Sequence, residues 1–393
     1  MNIKKMRKID KYVGAFICIC LEIYNRFKKI ISFIPSHSDK HIKNILITKY
    51  LGMGSILLAT PMLRSLRHRF PQSRISLITF TNNADFARQL TIFDEVIGFR
   101  TSNLFLLALD VVQTLIKIRR HRYDVVFDLE FFARFSTIIS YLSGAPMRVG
   151  YYLPSMWRGD LLTHHIHFNP HKHVTEIFSA QLAVFGITVT DFKLTPPIVH
   201  GTAMATLMAK LQRSGLTDKQ HVVSINVNAS DLCEERKWPI ERFAGLIDYI
   251  VNKRQDVKIV LVGSKGERDY VSNIFNTLST KVNNNVVNFS GILSMDEFIS
   301  LLKISYLFIT NDSGPLHIAS ALGITTLSFF GPETPTLYGP VGSKNVIFYS
   351  DIYCSPCLNV YNAKTAMCDG NNVCMQEIHL SHVIATLEEK KLL

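Results

Sequence analysis

The chain reads as an α/β protein made of two doubly wound halves, each a parallel sheet with helices on both faces. Three observations predict this. Short apolar runs of strand type alternate with amphipathic helical stretches from Asn44 to Leu142, and again from His221 to Phe330. A Pro-rich break, Thr195-Pro196-Pro197, separates the two series. A length of 393 residues, 47% hydrophobic and 19% charged, suffices for two cores and excludes a disordered chain.

Residues 1–43 form a basic segment. They hold ten Lys or Arg against Asp10, Glu22 and Asp39, so most of the net charge of +12 lies there. A nucleic-acid binder would spread its basic residues along the body, so no nucleic-acid partner is expected. Val13, Phe16, Ile17, Cys20, Tyr24, Phe27, Ile31 and Ile34 recur at helical spacing, with Arg26, Lys28 and Lys29 between them. That is the pattern of an amphipathic helix lying on a membrane surface. Its wholly apolar part, Tyr12 to Leu21, falls well short of the roughly twenty residues a spanning helix needs. A spanning or signal segment and a helix packed on the body are the alternatives. Pro35 to Lys40 reads as a linker.

Residues 44–195 form the first domain. A strand, Asn44 to Lys49, turns through Leu51-Gly52-Met53-Gly54-Ser55 into a helix from Ile56 to Phe70, which Pro71 ends. Gly52 and Gly54 let backbone approach a ligand closely. Leu57 stands where a dinucleotide fingerprint has its third Gly, and no P-loop Gly-Lys-Ser/Thr follows. Strands at Arg74–Phe80, Glu95–Phe99 and Tyr123–Leu129 alternate with helices at Asn83–Leu90, Asn103–Arg120 and Phe131–Leu142. Asp128, Glu130 and Arg134 stand at a carboxyl strand end, where such sheets bind ligands. The plain alternative for each is a solvated loop charge.

Residues 196–350 form the second domain. Its strands are Val222–Val227, Val257–Val262, Val286–Phe289, Tyr306–Thr310 and Ile324–Phe330, with helices at Ile240–Asn252, from Glu267, and at Met295–Ile304. The run Asn311-Asp312-Ser313-Gly314-Pro315-Leu316-His317 sits where strand becomes helix. Backbone N–H groups and the positive end of a helix dipole meet an anion at such a junction. Pro315 suits the first helical position, and His317 adds a donor one turn in. A simple helix cap at Ser313 is the alternative. Asn226, Asn228 and Ser230 follow the first strand, Lys237 precedes Trp238-Pro239, and Gly263, Gly266 and Glu267 follow the next strand. Together with Asp312, Ser313, Gly314 and His317 they make an anion site of nucleotide dimensions in a cleft between the halves. Glu267 either accepts from a ribose or base or is a helix-start acid.

Residues 351–393 are a cysteine-containing tail and a last helix. Cys354, Cys357, Cys368 and Cys374 have the spacing C-x2-C-x10-C-x5-C, which suggests a structural zinc or iron–sulfur site. Unligated thiols or two disulfides are the alternatives. Cys18, Cys20 and Cys233 are isolated and read as plain thiols.

The pattern resembles glycosyltransferase family 9, the ADP-heptose:lipopolysaccharide heptosyltransferases. The residues that carry it are Ile45-Leu46-Ile47 with Gly52-Met53-Gly54 and Ala59-Thr60-Pro61, Ser143 to Pro146 with Arg148-Val149-Gly150, and His173 to Glu176. In the second half they are Lys237-Trp238-Pro239 with Arg242-Phe243, Asn311 to His317, and Phe330-Gly331-Pro332. The resemblance implies a GT-B fold, two Rossmann-like domains facing a cleft. It implies inverting transfer of a sugar, heptose in the family, from a nucleotide diphosphate sugar to a lipid-linked or lipopolysaccharide-core acceptor. It also implies work in the cytoplasm, peripheral on the inner face of the inner membrane. By that likeness Lys237 neutralises the departing diphosphate, Ser313, Gly314 and His317 hold its oxygens, and Glu267 reads the nucleoside. No two aspartates lie two apart, so no D-x-D metal clamp exists and transfer requires no cofactor on this reading. One departure matters: Ser55 stands where the family has an Asp thought to be the base. Asp128 or Glu130 is expected to replace it, with Glu130 favoured as the first residue beyond its strand and freer to turn. A nucleotide-sugar binder without catalysis, a transferase for another sugar, and a dinucleotide-dependent oxidoreductase are the competing functions.

Overall fold

A computed structural model describes residues 3–31, 42–217, 219–229, 233–278, 283–362 and 364–393. Ile34, the Pro35–Lys40 linker and Ser230 lie outside the described residues. The chain divides between Phe192 and Lys193 into two compact units, close to the expected break, and the cysteine-containing tail belongs with the second.

The first unit holds a wholly parallel six-stranded sheet in the order β3-β2-β1-β4-β5-β6. These strands are β1 Asn44–Thr48, β2 Arg74–Phe80, β3 Glu95–Phe99, β4 Val125–Asp128, β5 Met147–Tyr151 and β6 His164–Ile166. The expected helix from Ile56 to Phe70 starts earlier and is broken in two, Met53–Leu58 and Thr60–Arg69. Tyr50 sits under the β1 turn in an aromatic cluster with Phe80, Phe99 and Phe135.

The second unit repeats the plan. Its strands are β7 His221–Asn226, β8 Val257–Val262, β9 Val286–Asn288, β10 Ser305–Asn311, β11 Thr325–Phe330 and β12 Asn345–Tyr349, in the order β12-β11-β10-β7-β8-β9. Counted within the unit, this is the same doubly wound order as the first, and every pairing is again parallel. Each sheet therefore has one switch point, β1/β4 and β7/β10, where chain connections depart in opposite directions and open α/β sheets bind ligands. Trp238 anchors the second core: it is fully buried, stacks on Phe329 at 4.2 Å, and donates from its indole to the Ile378 carbonyl at 2.8 Å. Val383 and Leu387 of the last helix, Leu380–Glu389, complete that core.

The N-terminal segment is helical from Ile3 to Ile31, with a π-turn at Asp10–Gly14. One side packs on the first unit. Gly14 lies so close to Arg134 that a Cβ there would meet the Arg134 Cβ at 2.9 Å, Cys18 is buried against Ile138 and Leu161, and Asn25 donates to the Asp160 carbonyl at 3.1 Å. Asp10 accepts from the backbone N–H groups of Arg134 and Phe135, the first residues of the Arg134–Leu142 helix. The other side exposes Tyr12, Phe16, Ile19, Ile23 and Phe27. The packed helix and the exposed stripe, which the sequence offers as alternatives, thus coexist. Among the described residues no helix is long and apolar enough to cross a membrane.

Candidate functional site

At the β7/β10 switch point the strand ends carry amides and hydroxyls instead of acids. The Asn226 amide donates to Thr310 Oγ1 at 3.1 Å and Ser313 Oγ at 3.4 Å, and those two hydroxyls are 2.9 Å apart. Asn311 ties the layer together, accepting from the Trp238 backbone N–H at 2.9 Å and donating to the Val227 and Asn228 carbonyls. The buried Asn228 Oδ1 meets no hydrogen-bond donor among the described residues. Gly263 is required beside it, because a Cβ there would stand 2.9 Å from the Asn228 amide nitrogen.

The helix after β10 runs from Gly314 to Ala321, so Pro315 is its second residue rather than its first. Ser313 occupies the N-cap position, yet its side chain makes no capping bond; its hydroxyl serves Thr310 and Asn226. The first N–H groups of this helix therefore lack the usual serine side-chain partner. His317 is buried one turn in.

The cation at this junction is Arg236. Its guanidinium is 3.1 Å from Asp312 Oδ2, and both side chains are nearly buried. Burial works against its charge, but Asp312 outweighs that and its pKa is raised. Lys237 faces elsewhere: its ammonium is 4.2 Å above the Tyr270 ring and 3.7 Å from Glu234, on the wall of an open depression of about 540 Å³. Residue type alone does not choose between Arg236 and Lys237. Lys237 is extended, so a buried Trp238 places the residue two before it on its own side and the intervening Lys237 on the other. Sequence reasoning also missed Glu333, which is buried beyond β11 and paired with Lys364 at 2.7 Å. Desolvation raises its pKa, and Asp312 adds to the rise.

Glu267 takes the helix-start role. Its Oε2 accepts from the Ser264 backbone N–H at 2.7 Å in a reciprocal capping box.

At the β1/β4 switch point the two acids are structural partners. Asp128 is fully buried, with Thr48, Ser136, Thr137 and the Glu130 N–H all donating to its carboxylate. Desolvation pushes its pKa up to about 6. The expectation that Glu130 turns freely is corrected. Its Oε1 accepts from the Tyr50 and Leu51 N–H groups at 2.6 and 2.9 Å, and its Oε2 lies 2.9 Å from the buried Lys49 ammonium. Glu130 thereby fixes the chain entering the turn. Gly52 follows at φ +84°, a conformation only glycine adopts without strain, and its carbonyl accepts from the Ser55 N–H at 3.0 Å. Gly54 is buried at the start of the next helix, beside Ser55.

The four cysteines lie in one neighbourhood, with Cys374 within electrostatic reach of the other three. Cys354 is exposed, Cys357 and Cys368 are half-buried and Cys374 is buried, all four as free cysteines. Among the described residues no group of three or more His, Cys, Asp or Glu is placed to hold a metal ion. Cys374 points into the core, where its sulfur would be 2.8 Å from a Cβ at Gly331. Burial pushes its thiol up to about 11, the protonated form that suits a packed side chain.

Comparison with known proteins fits this geometry. The sequence model for glycosyltransferase family 9 (heptosyltransferase) matches residues 112–367. The chain is 21% identical over 309 residues to lipopolysaccharide heptosyltransferase 2 of Escherichia coli strain K12, covering 76% of this chain and 86% of the relative. Among solved structures it is similar to the family 9 glycosyl transferase of Veillonella parvula, with TM-score 0.71 at 21% identity, covering 90% of this chain and 98% of that one. The E. coli ADP-heptose lps heptosyltransferase II superposes with TM-score 0.70 at 18% identity, covering 88% and 98%. The likeness in structure establishes the GT-B fold. The family match extends over more than half of the chain, and the protein therefore belongs to glycosyltransferase family 9 and is a glycosyltransferase.

Proposed function

We propose that the protein transfers heptose from ADP-heptose to a lipid-linked acceptor of the lipopolysaccharide core, with inversion and without a metal ion. The observation that carries this is the Arg236–Asp312 pair set against the N-terminus of the Gly314–Ala321 helix at the β7/β10 switch point. A departing diphosphate needs cationic and N–H donors fixed in advance of reaction, and this junction supplies both. In this reading Arg236 meets the diphosphate together with the Ser313 and Gly314 N–H groups, with Asn228 and His317 at the same edge. Asp312 holds Arg236 and accepts from a sugar hydroxyl. Lys237 and Glu267 take secondary places, one at the rim and one as a helix cap.

The transfer step is a single displacement. An acceptor hydroxyl oxygen attacks the anomeric carbon, the bond to the diphosphate oxygen breaks, and a carboxylate takes the hydroxyl proton. Of the two acids in the first unit, Glu130 fits this role better than Asp128. Among the described residues its Oε2 meets the Lys49 ammonium alone, whereas four donors enclose Asp128. The setting is the cytoplasmic face of the inner membrane, with the outward aromatic stripe and basic residues of the N-terminal helix against lipid.

Ser55, together with the hydrogen-bonded state of both acids, favours one other reading, a nucleotide-sugar binder without turnover. Incubation with ADP-heptose, UDP-glucose or GDP-mannose and a heptose-deficient core acceptor separates the two. Transfer from ADP-heptose supports the proposal. Transfer from one of the others alone changes the sugar, and binding without any transfer gives the non-catalytic reading.

A further inference from the structure

The Leu104–His121 helix carries a feature that sugar transfer does not use. Leu104, Phe105, Leu109, Val112 and Ile116 all lie on its outer side, and Phe105 is 76% exposed. From Phe105 onward their spacing of four, three and four residues makes one continuous stripe along the helix. The opposite side packs inward through Leu107, Val111 and Leu115, on the same core cluster that receives Met6 of the N-terminal helix. Two helices that share a core cluster thus each turn an apolar stripe outward.

Charge points to the occupant. The helix has one acid, Asp110, which is buried and held by the Arg100 guanidinium and backbone N–H. Its last turn is basic, with Arg119, Arg120 and His121, while Lys117 just before it is paired with Glu95. In the N-terminal helix Asp10 is spent on the Arg134–Leu142 helix and Glu22 on Arg26, while Lys5, Lys8, Lys11 and Arg26 are exposed. Both helices therefore turn their acids inward and show lipid-compatible side chains flanked by cations. A surface of that composition is matched by anionic headgroups over hydrocarbon.

We propose that the outer stripe of the Leu104–His121 helix is a second bilayer-contacting surface, which works with the N-terminal helix to seat the first unit on an anionic membrane. The proposal rests on the membrane reading of the N-terminal helix and extends it to a region 70 or more residues away in sequence. It also has a geometric consequence. The helix follows β3, so Leu104 and Phe105 lie at the carboxyl edge of the sheet, the edge where Asp10 caps the helix after β4. Two contacts fix an orientation where one helix would allow rotation about its axis. A lipid-linked acceptor would then meet the edge that carries Glu130.

The test is flotation of the full chain with vesicles of phosphatidylethanolamine and phosphatidylglycerol, with phosphatidylcholine vesicles as the neutral control. Wild type is expected to float with the anionic vesicles. Phe105→Ser with Val112→Ser, and separately Phe16→Ser with Phe27→Ser, should each weaken partitioning about tenfold or more while melting as wild type does. If the Phe105/Val112 variant floats like wild type and the Phe16/Phe27 variant does not, the inference falls and the N-terminal reading stands. If wild type binds no vesicle, both fall. Sedimentation supplies the remaining check: self-association lost in the Phe105/Val112 variant, with flotation unchanged, would make this face an interface between copies and overturn the proposal.

Discussion

The two switch points of this protein share a strand order and differ in chemistry. At β1/β4, the acids are consumed by the frame: Asp128 clamps β1, β4 and the following helix, and Glu130 fastens the chain after β1. At β7/β10 the frame is made of amides and hydroxyls, and the buried charges include a cation and its partner. The same backbone plan thus carries carboxylates bonded to their own unit at one switch point and, on the proposed function, an anion-receiving edge at the other. Fold alone does not say what a strand end does; the side chains there decide.

The sharpest way to break this contrast is at Arg236. Arg236→Ala leaves Asp312 buried without its partner, so sugar transfer should fall by about two to three orders of magnitude. The second unit should also lose about 3 kcal/mol of stability, as a broken buried pair does. Lys237→Ala removes a cation–π contact and a loose surface pair worth about 1 kcal/mol, and should cost transfer far less. Steady-state rates and urea melts of both variants check this, and equal losses would erase the distinction drawn between neighbours.

Glu130→Gln comes next. If Glu130 takes the acceptor proton, kcat should drop by about a hundredfold or more with donor affinity retained. A role confined to fixing the turn would instead show as a lowered melting temperature with a modest change in kcat.

The smallest effect belongs to Asp128 and is read through pH. Its folded pKa is raised from 3.8 to about 6, so the folded state holds the proton more tightly than the unfolded chain does. Its contribution is therefore fully present below the unfolded value and is lost as pH rises through about 6. The stability difference between wild type and Asp128→Asn should shrink from pH 4 to pH 7 on the order of that window. A flat difference would mean that the carboxylate keeps its ordinary pKa in the folded protein.

Much of this architecture was legible because apolar runs of period two and stripes of period 3.6 alternate without long interruptions. The edges of β2, β3 and β8 and of the Met295–Ile304 helix fall where the pattern places them. β6 has three residues, two of them histidines, and offers no apolar run to detect. The helix Gly201–Arg213, just after the break, was also missed. At the site, Asn226, Asn228 and the Asp312–His317 turn were readable from their positions after strands. Which of Arg236 and Lys237 faces inward depends on local chain direction, and whether Glu130 is free depends on N–H groups contributed by Tyr50 and Leu51, 80 and 79 residues away. Neither is encoded in residue type. The four cysteines share a neighbourhood, as their spacing suggests, while packing under Gly331 places Cys374 in the core.

Trp238 has a use apart from its place in the core. The chain has two tryptophans, and each unit contains one: Trp157, 41% exposed, in the first, and Trp238, fully buried, in the second. Each unit thus carries its own optical reporter, red-shifted in one and blue-shifted in the other. Replacing Trp157 with Phe would leave an emission signal from a ring two residues from Arg236 and bonded through its backbone to Asn311. Nucleotide binding to the second unit, and the unfolding of that unit alone, could then be followed by fluorescence without any added label.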